Sequence, residues 1–262
     1  MKTKIKNALV FGSSAGIGKA IAKEFYKQGI NVCLASRSEE KLKAAAQDIL
    51  QIASNAKLIY DVCDVSNASE IEMIISKCQK ELGPIDILVN NQGGPIPGGF
   101  QTITEDQLTQ AINTNLLSFF RATKLCIGPM KERGWGRIIN VLSISAKEPI
   151  PNMLLSNMIR PAILGMSKTI AQEYAQFGVT INSVLPSAVL TERTFSLLTD
   201  RANRENRSYE DILKETVAGL PSKHIASPEE FSQIVSFLCS ENASYINGAA
   251  IPVDGASSKS LY

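Results

Sequence analysis

The chain lacks the features that would assign it to several specialised classes of protein. Its 27 basic and 25 acidic side chains give a formal charge of +2, which provides no electrostatic basis for binding nucleic acid or an acidic membrane surface. No apolar run reaches the length of a membrane span, and Met1–Lys4 is not followed by the long apolar segment of a signal peptide. We therefore expect a cytoplasmic protein that binds neither nucleic acid nor membrane.

Residues that commonly bind metals are also scarce. His224 is the single histidine, and we interpret it as a surface or capping group, so we expect no metal site. No repeat or linker divides the 262 residues, and 44% of them are hydrophobic, which predicts one domain, 1–262, with a large core. The five cysteines are odd in number and lack metal-type spacing, which predicts reduced, mostly buried thiols at Cys33, Cys63, Cys78, Cys126 and Cys239.

The stretch Ala8–Gly18, with the sequence ALVFGSSAGIG, changes from an apolar run into a glycine-rich turn. The pattern predicts a buried strand through Phe11, a tight turn, and a helix that starts near Gly16. The first turn of a helix has unpaired N–H groups and a partial positive charge, so a phosphate group is its natural ligand. The spacing G-x-x-x-G-x-G is a weak signal alone, and a glycine turn without a ligand remains the alternative.

Apolar runs alternate with helical patterns along the rest of the chain. Two predicted capping boxes, Thr104 with Gln107 and Ser227 with Glu230, mark helix starts. This alternation predicts an α/β fold with a doubly wound, seven-stranded parallel sheet. Only 191–226 lacks a strand, and we expect it to form a helical lid over the carboxyl ends of the strands. The predicted strands are 5–11, 31–35, 57–62, 85–90, 137–142, 179–185 and 249–253.

Seven motifs, in order and with matching spacing, resemble the short-chain dehydrogenase/reductase family over essentially the whole chain. They are Gly12-Ser-Ser-Ala-Gly16-Ile-Gly18, Asp64-Val65, Asn90-Asn91-Gln92-Gly93, Asn115, Gly136-Arg-Ile-Ile-Asn-Val-Leu-Ser143, Pro186 through Thr191, and Asn247-Gly-Ala-Ala-Ile-Pro-Val-Asp-Gly255. The 3-oxoacyl-carrier-protein reductases are the branch that the chain resembles. This resemblance implies a Rossmann fold, a nicotinamide cofactor, a small carbonyl or alcohol substrate, and a homotetramer or homodimer with contacts through helices 105–133 and 152–176.

The resemblance also assigns cofactor-binding positions. They are Gly12, Ser13, Ser14, Ile17, Gly18, Asp64, Val65, Asn91, Gly93, Arg160 and Thr191. For Asp64 the alternative is a turn or helix cap, which is a common role of aspartate. The second strand is followed by Arg37, where an NAD enzyme would carry an acidic residue for the ribose hydroxyls. A guanidinium group suits a 2′-phosphate, so we expect NADP(H) rather than NAD(H), with a solvated surface arginine as the alternative.

The catalytic positions depart from the family pattern. Family members use an asparagine, a serine, a tyrosine and a lysine four residues after the tyrosine. Asn115 and Ser143 match the first two. Thirteen residues after Ser143, at the tyrosine position, the chain has Ser156, and at the lysine position it has Arg160. The spacing of four places both side chains on one face of a helix.

This replacement affects acid–base catalysis. An aliphatic hydroxyl is a far weaker acid than a phenol with a pKa of about 10, and arginine is effectively never deprotonated. Neither Ser156 nor Arg160 is therefore matched to proton transfer near neutral pH. With Ser143, they offer hydrogen bonds and a positive charge, and a water would have to supply the proton. The nearby Lys147 and Glu148 are interpreted as a solvated loop pair.

Two further departures lie close to these positions. Pro161 follows Arg160 inside the predicted helix 152–176, and a proline removes a backbone donor and disfavours helical geometry before it. We therefore predict a kink at 157–161 that displaces Arg160. Gln92 in the Asn-Asn-x-Gly motif is the second departure. Two functions remain open: an NADP(H)-dependent oxidoreductase with an atypical catalytic site, or a catalytically weak nucleotide-binding protein that acts as a sensor or scaffold.

Overall fold

Seven parallel strands form one sheet in the order β3-β2-β1-β4-β5-β6-β7. The computed structural model describes residues 5–261, so residues 1–4, which bear on the signal-peptide expectation, lie outside the described part. The predicted α/β fold is confirmed, and each predicted strand is present with its ends within two residues of the prediction. The strands are β1 (Asn7–Phe11), β2 (Asn31–Ser36), β3 (Leu58–Val62), β4 (Ile87–Asn90), β5 (Gly136–Val141), β6 (Val179–Pro186) and β7 (Ala250–Val253).

Helices cover both faces of this sheet. The capping boxes of Thr104 with Gln107 and of Ser227 with Glu230 are both present and start α4 and α9. Over residues 5–261 the structure shows no helix long and apolar enough to cross a membrane. The helices are α1 (Gly16–Lys27), α2 (Glu39–Ile49), α3 (Ala68–Leu82), α4 (Glu105–Ala111), α5 (Ser118–Glu132), α6 (Leu154–Tyr174), α7 (Glu192–Glu205), α8 (Tyr209–Gly219) and α9 (Pro228–Leu238).

Two large apolar layers of the core cover the two faces of the sheet, and a smaller buried cluster includes Leu155, Ile159 and Ile163 of α6. Side chains of a strand alternate between the faces, so Val10 of β1 packs in one layer while Leu9 and Phe11 pack in the other. The first layer includes Ile21 and Phe25 of α1, and the second contains residues of α3 and α5. This burial on both faces explains why the strands appear in the sequence as continuous apolar runs. The five cysteines are free and buried, as predicted.

Helix α1 begins at the point where the strand order reverses between β1 and β4. Two glycines allow the backbone segments to approach each other closely there. A Cβ atom on Gly12 would lie 2.0 Å from the backbone oxygen of Asn91, and one on Gly18 would lie 2.2 Å from the oxygen of Gly12. Gly12 also has a φ of +60°, which L side chains rarely adopt. These two glycines therefore serve contacts within the protein, between α1, the turn after β1 and the end of β4.

The segment 191–226 is helical and lacks a strand, as predicted. Its helices α7 and α8 pack against each other through Leu198, Ala202 and Ile212. Charged side chains reinforce the pair, because Arg201 and Arg207 both contact Glu215. The segment therefore has a small core of its own.

Helix α6 spans Leu154–Tyr174, slightly shorter than the predicted 152–176. Pro161 is exposed and lies inside this helix, which continues through it. A proline has no N–H group, so the carbonyl oxygen of Asn157 lacks the usual donor four residues later. The helix is nevertheless continuous through 157–161, and the kink that displaces Arg160 stays a prediction.

We expect Gly18→Ala to lower the free energy of unfolding by about 1–3 kcal/mol, the usual cost of overpacking. Alanine favours helical geometry at this position, so the loss would arise only from the contact with the oxygen of Gly12. Gly165→Ala in α6 is the control, because its Cβ meets no atom within 4 Å. It should raise the free energy of unfolding by about 1 kcal/mol. Urea denaturation of both variants measures this difference, and equal effects would contradict the close approach.

Candidate active site

A cleft of about 360 Å³ opens at the carboxyl ends of the first four strands. The chain brings seven of the predicted site residues to it: Gly12, Arg37, Asp64, Val65, Asn91, Gly93 and Asn115. Ligands of open parallel sheets bind at such a crevice, where the strand order reverses. The other lining residues are Ala35, Ser36, Cys63, Gln92, Gly94, Pro95, Ile96, Gln107, Gln110, Ala111, Thr114 and Leu155.

The serines of the glycine-rich turn have structural hydrogen bonds. The Ser13 hydroxyl is fully buried, donates to the oxygen of Val10 at 2.8 Å and accepts from the N–H of Ala35 at 2.9 Å. The Ser13 side chain therefore ties β1 to β2, and the backbone is what Ser13 can offer a ligand; its place among the cofactor-binding residues stays a prediction. Ser14 Oγ lies 2.8 Å from Ser36 Oγ at the edge of the cleft.

Two more predicted cofactor residues pack within the protein. Ile17 contacts one of the two core layers. Thr191 is the N-cap of α7, where its hydroxyl accepts from the N–H of Thr194 at 3.2 Å. A Cβ atom on Gly16 would lie 3.0 Å from the Thr191 methyl group. Thr191 therefore joins the start of the helical segment 191–226 to the glycine-rich turn.

Arg37 is exposed and lines the cleft directly after β2. Within residues 5–261 its guanidinium group forms no hydrogen bond or ion pair. Asp64 is different, because its Oδ1 accepts from the N–H and the hydroxyl of Ser66 at 2.9 and 2.8 Å. Asp64 therefore stabilises a turn, which is the role that the sequence offered as the alternative to cofactor binding. Asn91 Nδ2 donates to the oxygens of Phe11 and Gly12 at 3.3 and 3.2 Å and so holds the turn against β4.

Asn115 lies in a π-helical turn, Ile112–Leu117, between α4 and α5. Such turns occur frequently at functional sites because the extra residue redirects a side chain. Asn115 is buried, and its Oδ1 has no hydrogen-bond partner in the described part of the chain. Both amide atoms of the buried Gln92 are likewise unpartnered there. Buried polar atoms normally have partners, so the cleft has unmet hydrogen-bonding capacity.

Ser143 and Ser156 each form a hydrogen bond with Ser145, which lies in the short turn after β5. Ser143 Oγ accepts from the N–H of Ser145 at 3.1 Å. The buried Ser156 hydroxyl lies 2.8 Å from the buried hydroxyl of Ser145, and that hydrogen bond joins α6 to the short turn after β5. Ser145 is therefore a site residue that the sequence reasoning missed. Its only signal was the spacing Ser-x-Ser at the end of a strand.

A chain of buried polar side chains fixes α6 to the sheet. Asn90 Nδ2 donates to Asn140 Oδ1 at 2.9 Å, and Asn140 Nδ2 donates to Ser167 Oγ at 2.9 Å. The Ser167 hydroxyl then donates to the oxygen of Ile163 at 2.7 Å. This network links β4, β5 and α6, and so sets the position of the helix that carries Ser156 and Arg160.

Arg160 is 3% exposed, and its Nε and Nη1 have no partner among residues 5–261. Burial and the nearby positive charge of Arg193 lower the pKa of Arg160 to about 10. Arg193 lies in the first turn of α7 and donates through Nη2 to the oxygen of Pro95 at 2.8 Å. The sequence reasoning missed Arg193, because nothing local connects it to Arg160.

The remaining residues considered from the sequence have other surroundings. Glu148 Oε2 accepts from the N–H of Lys259 at 2.6 Å, so it holds the C-terminal segment. Lys147 is half-buried and does not line the cleft. His224 is exposed, with Nε2 3.4 Å from Glu230 Oε1, which agrees with a surface role. No group of side chains suited to a metal ion occurs within the described residues.

The doubly wound sheet, the glycine-rich turn before α1 and the cleft at the strand-order reversal define a dinucleotide-binding α/β protein. A family model described as enoyl-(acyl carrier protein) reductase matches residues 12–257. The chain is 31% identical over 256 residues to the NADPH-dependent reductase BacG of Bacillus subtilis, covering 98% of this chain and 99% of that protein. The chain belongs to the short-chain dehydrogenase/reductase family.

Other relatives agree with this assignment. The D-β-hydroxybutyrate dehydrogenase of Cupriavidus necator is 34% identical over 251 residues, which are 95% of this chain and 96% of that protein. The crystal structure of L-sorbose reductase from Gluconobacter frateurii, complexed with NADPH and L-sorbose, superimposes with a TM-score of 0.92. It is 28% identical, and the match covers 100% of both chains.

We expect Ser145→Ala and Ser156→Ala each to lower the free energy of unfolding by about 1–3 kcal/mol, since each leaves a buried hydroxyl unpaired. The double variant should lose less than the sum of the two, because it leaves neither hydroxyl behind. Chemical denaturation of the three variants and the wild type gives the interaction free energy between the two hydroxyl groups. Ser196→Ala, at an exposed position of α7, serves as the control and should change stability by about 0.5 kcal/mol or less. Strictly additive losses would rule out the Ser145–Ser156 hydrogen bond.

Proposed function

We propose that this chain is an NADP(H)-dependent oxidoreductase that interconverts a carbonyl and an alcohol on a small molecule. The observation that carries the cofactor choice is Arg37, an exposed guanidinium group at the cleft edge after β2 with no partner within residues 5–261. A permanent cation with planar donors suits a 2′-phosphate. The printed names of the relatives support this choice, because BacG is NADPH-dependent and the sorbose reductase is complexed with NADPH.

The residues of the cleft fit a dinucleotide. The unpartnered Asn115 Oδ1 and Gln92 amide need hydrogen-bonding groups that the described protein does not supply. The N-terminus of α1, beside the glycine-rich turn, suits a pyrophosphate. In this proposal Arg37 binds the 2′-phosphate and Asp64 with Val65 lies at the adenine. The remaining cofactor-binding residues are Gly12, Ser14, Gly18, Asn91, Gly93, Arg160 and Thr191, with Ser13 and Ile17 supporting the turn.

We also propose that Ser156 and Arg160 occupy the positions of the family's tyrosine and lysine. When bound, NADPH supplies the hydride for the carbonyl carbon. A hydroxyl can accept one hydrogen bond and still donate another, so Ser156 can accept from Ser145 and donate toward the substrate oxygen, as can Ser143. Arg160 stabilises the negative charge that develops on that oxygen. Asn115 holds a water with its unpartnered Oδ1, and this water delivers the proton.

The second candidate is a nucleotide-binding sensor or scaffold of the same family that catalyses little. The observation that favours it is that the Ser156 hydroxyl is already hydrogen-bonded to Ser145, and neither Ser156 nor Arg160 suits proton transfer. A fluorescence titration with NADPH, followed by NADPH oxidation with a panel of ketones and aldehydes, separates the two candidates. Tight binding without turnover of any carbonyl supports the sensor.

We further propose that the chain forms a homotetramer or homodimer through α5 and α6. Three apolar side chains on these helices are substantially exposed: Phe120 at 45%, Leu125 at 37% and Met158 at 48%. They lie within the regions 105–133 and 152–176 that the family resemblance assigns to subunit contacts. Burial of such side chains in an interface would remove apolar surface from water.

We expect Arg37→Ala to weaken NADPH binding by about 1.5–3 kcal/mol, the usual contribution of a hydrogen bond to a charged group, while NADH binding stays nearly unchanged. Isothermal titration with both cofactors measures the effect. Lys43→Ala is the control, because it removes an exposed positive charge from α2 outside the cleft and should change neither affinity by much. Equal losses for NADPH and NADH would mean that Arg37 has a structural role instead.

We expect Ser156→Tyr combined with Arg160→Lys to raise the rate of reduction of neutral ketones by about 10²–10⁴-fold, the usual contribution of general acid catalysis. Each single change should give less, because the lysine acts by lowering the pKa of the tyrosine. Since α6 continues through Pro161, this residue stays unchanged. Steady-state NADPH oxidation measures the rate.

The control for this prediction is Ser156→Phe with Arg160→Lys, which adds the same ring without the hydroxyl and should give no gain. A gain in the phenylalanine variant would assign the effect to pocket shape. A wild-type protein as fast as ordinary reductases, and slowed by Ser156→Ala or Arg160→Ala, would show a competent mechanism that uses the native residues.

A further inference from the structure

Arg160 is a buried positive charge without a counterion. It is 3% exposed, and no residue in the described part of the chain forms a hydrogen bond or ion pair with it. Leaving an ionised group unpaired in the interior costs several kcal/mol, so such groups normally have a partner. The cost would be lower if a bound ligand brought the opposite charge.

A second guanidinium group approaches the same point. A Cβ atom built on Gly94 would lie 3.8 Å from Arg160 Nη2 and 4.0 Å from Arg193 Nη2, and no other heavy atom outside Gly94 and its two chain neighbours lies within 4 Å of it in the described structure. Two arginines therefore lie next to one open position. In addition, the positive charge of Arg193 lowers the pKa of Arg160. An anion next to both guanidinium groups would reduce this repulsion.

These two side chains belong to different elements of the fold. Arg160 lies on α6, which is fixed to the sheet, whereas Arg193 lies in the first turn of α7 and is held by the oxygen of Pro95 at 2.8 Å. Gly94 and Pro95 both line the cleft. The point between the two guanidinium groups is therefore adjacent to the space where a ligand binds.

The chemistry of the two side chains restricts the class of ligand that can bind there. A guanidinium group matches the two oxygens of a carboxylate through paired N–H donors. Ribose hydroxyls of a cofactor are neutral and leave the charge unmet. The cationic Arg37 and the N-terminus of α1 are already the natural partners of the cofactor phosphates, and they lie beside β2 and β1 rather than beside Gly94.

We propose that the substrate is a carbonyl compound that bears a carboxylate, and that Arg160 Nη2 and Arg193 Nη2 bind this carboxylate beside Gly94, while Nε and Nη1 of Arg160 stay available to the carbonyl oxygen. This inference rests on the proposed reductase function. Gly94 is the residue that keeps the position open, because any larger side chain would occupy the space between the two arginines. Arg193 thereby determines substrate specificity from the helical segment 191–226.

Gly94→Asp tests the proposal by placing a carboxylate where the substrate's would bind, with Gly94→Asn as the neutral control of the same size. We expect Gly94→Asp to melt at a higher temperature than Gly94→Asn, because the new carboxylate pairs with both arginines. The probes are pyruvate, acetoacetate and levulinate, each compared with its methyl ester in NADPH oxidation. For at least one pair the wild type should prefer the acid by about tenfold or more in kcat/KM, the value of one charged hydrogen bond.

This preference should disappear in Gly94→Asp and in Gly94→Asn, because both side chains fill the position, and in Arg193→Gln, which leaves the position open but removes one of the two charges. Equal melting temperatures of the two Gly94 variants, with acids and esters reduced equally well, would overturn the proposal and leave the reductase function intact. If Gly94→Asp weakens NADPH binding and Gly94→Asn does not, the anion is a cofactor phosphate and the substrate proposal is wrong. If NADPH binds tightly and no probe oxidises it, the reductase function is contradicted instead. The difference in melting temperature between Gly94→Asp and Gly94→Asn would then still show whether the two arginines bind a carboxylate.

Discussion

The structure depends on the close approach of three backbone segments at the point where the strand order reverses. Gly12, Gly18 and Asn91 contact one another there so closely that a single Cβ atom on either glycine would lie about 2 Å from a backbone oxygen. This contact places the start of α1 beside the carboxyl ends of β1 and β4. The cleft opens beside this contact, and Gly12 and Asn91 both line it, so these residues are fixed by packing within the protein before any ligand binds.

The fold could be predicted from the sequence because its determinants are local. Strands buried on both faces appear as apolar runs, helices appear as patterns of period 3.6 between them, and capping boxes mark helix starts at Thr104 and Ser227. Such signals need no knowledge of distant residues. Asp64 and Asn91 could be predicted through the family resemblance, and Arg37 from its place after the second strand; all three line the cleft because each follows the end of a strand, and parallel strands end at one edge of the sheet.

The details of the site depend on contacts between residues far apart in the sequence, and these could not be predicted. Ser156 hydrogen-bonds to Ser145 and not to Ser143, because the turn after β5 directs Ser145 toward α6. Arg193 approaches Arg160 only through the packing of α7 over the loop after β4. The role of the Ser13 hydroxyl also depends on a distant residue. Ser13 lies in a turn whose pattern is typical of ligand binding, but its hydroxyl joins β1 to β2.

The electrostatics of Arg160 set what this pocket can do. Burial lowers its pKa to about 10, which is still well above neutral pH, so the side chain stays charged. A lysine in the same surroundings would start from a lower pKa of about 10.4 and lose its proton more readily on burial. Arginine therefore keeps a permanent positive charge at this position. It does not have the pKa, close to that of a phenol, with which a lysine acts on a neighbouring tyrosine. Under the proposal that Ser156 and Arg160 occupy the positions of the family's tyrosine and lysine, the two residues are consistent with each other: Ser156 has no phenol whose pKa a lysine would tune, and both side chains suit the binding and stabilisation of negative charge better than proton transfer.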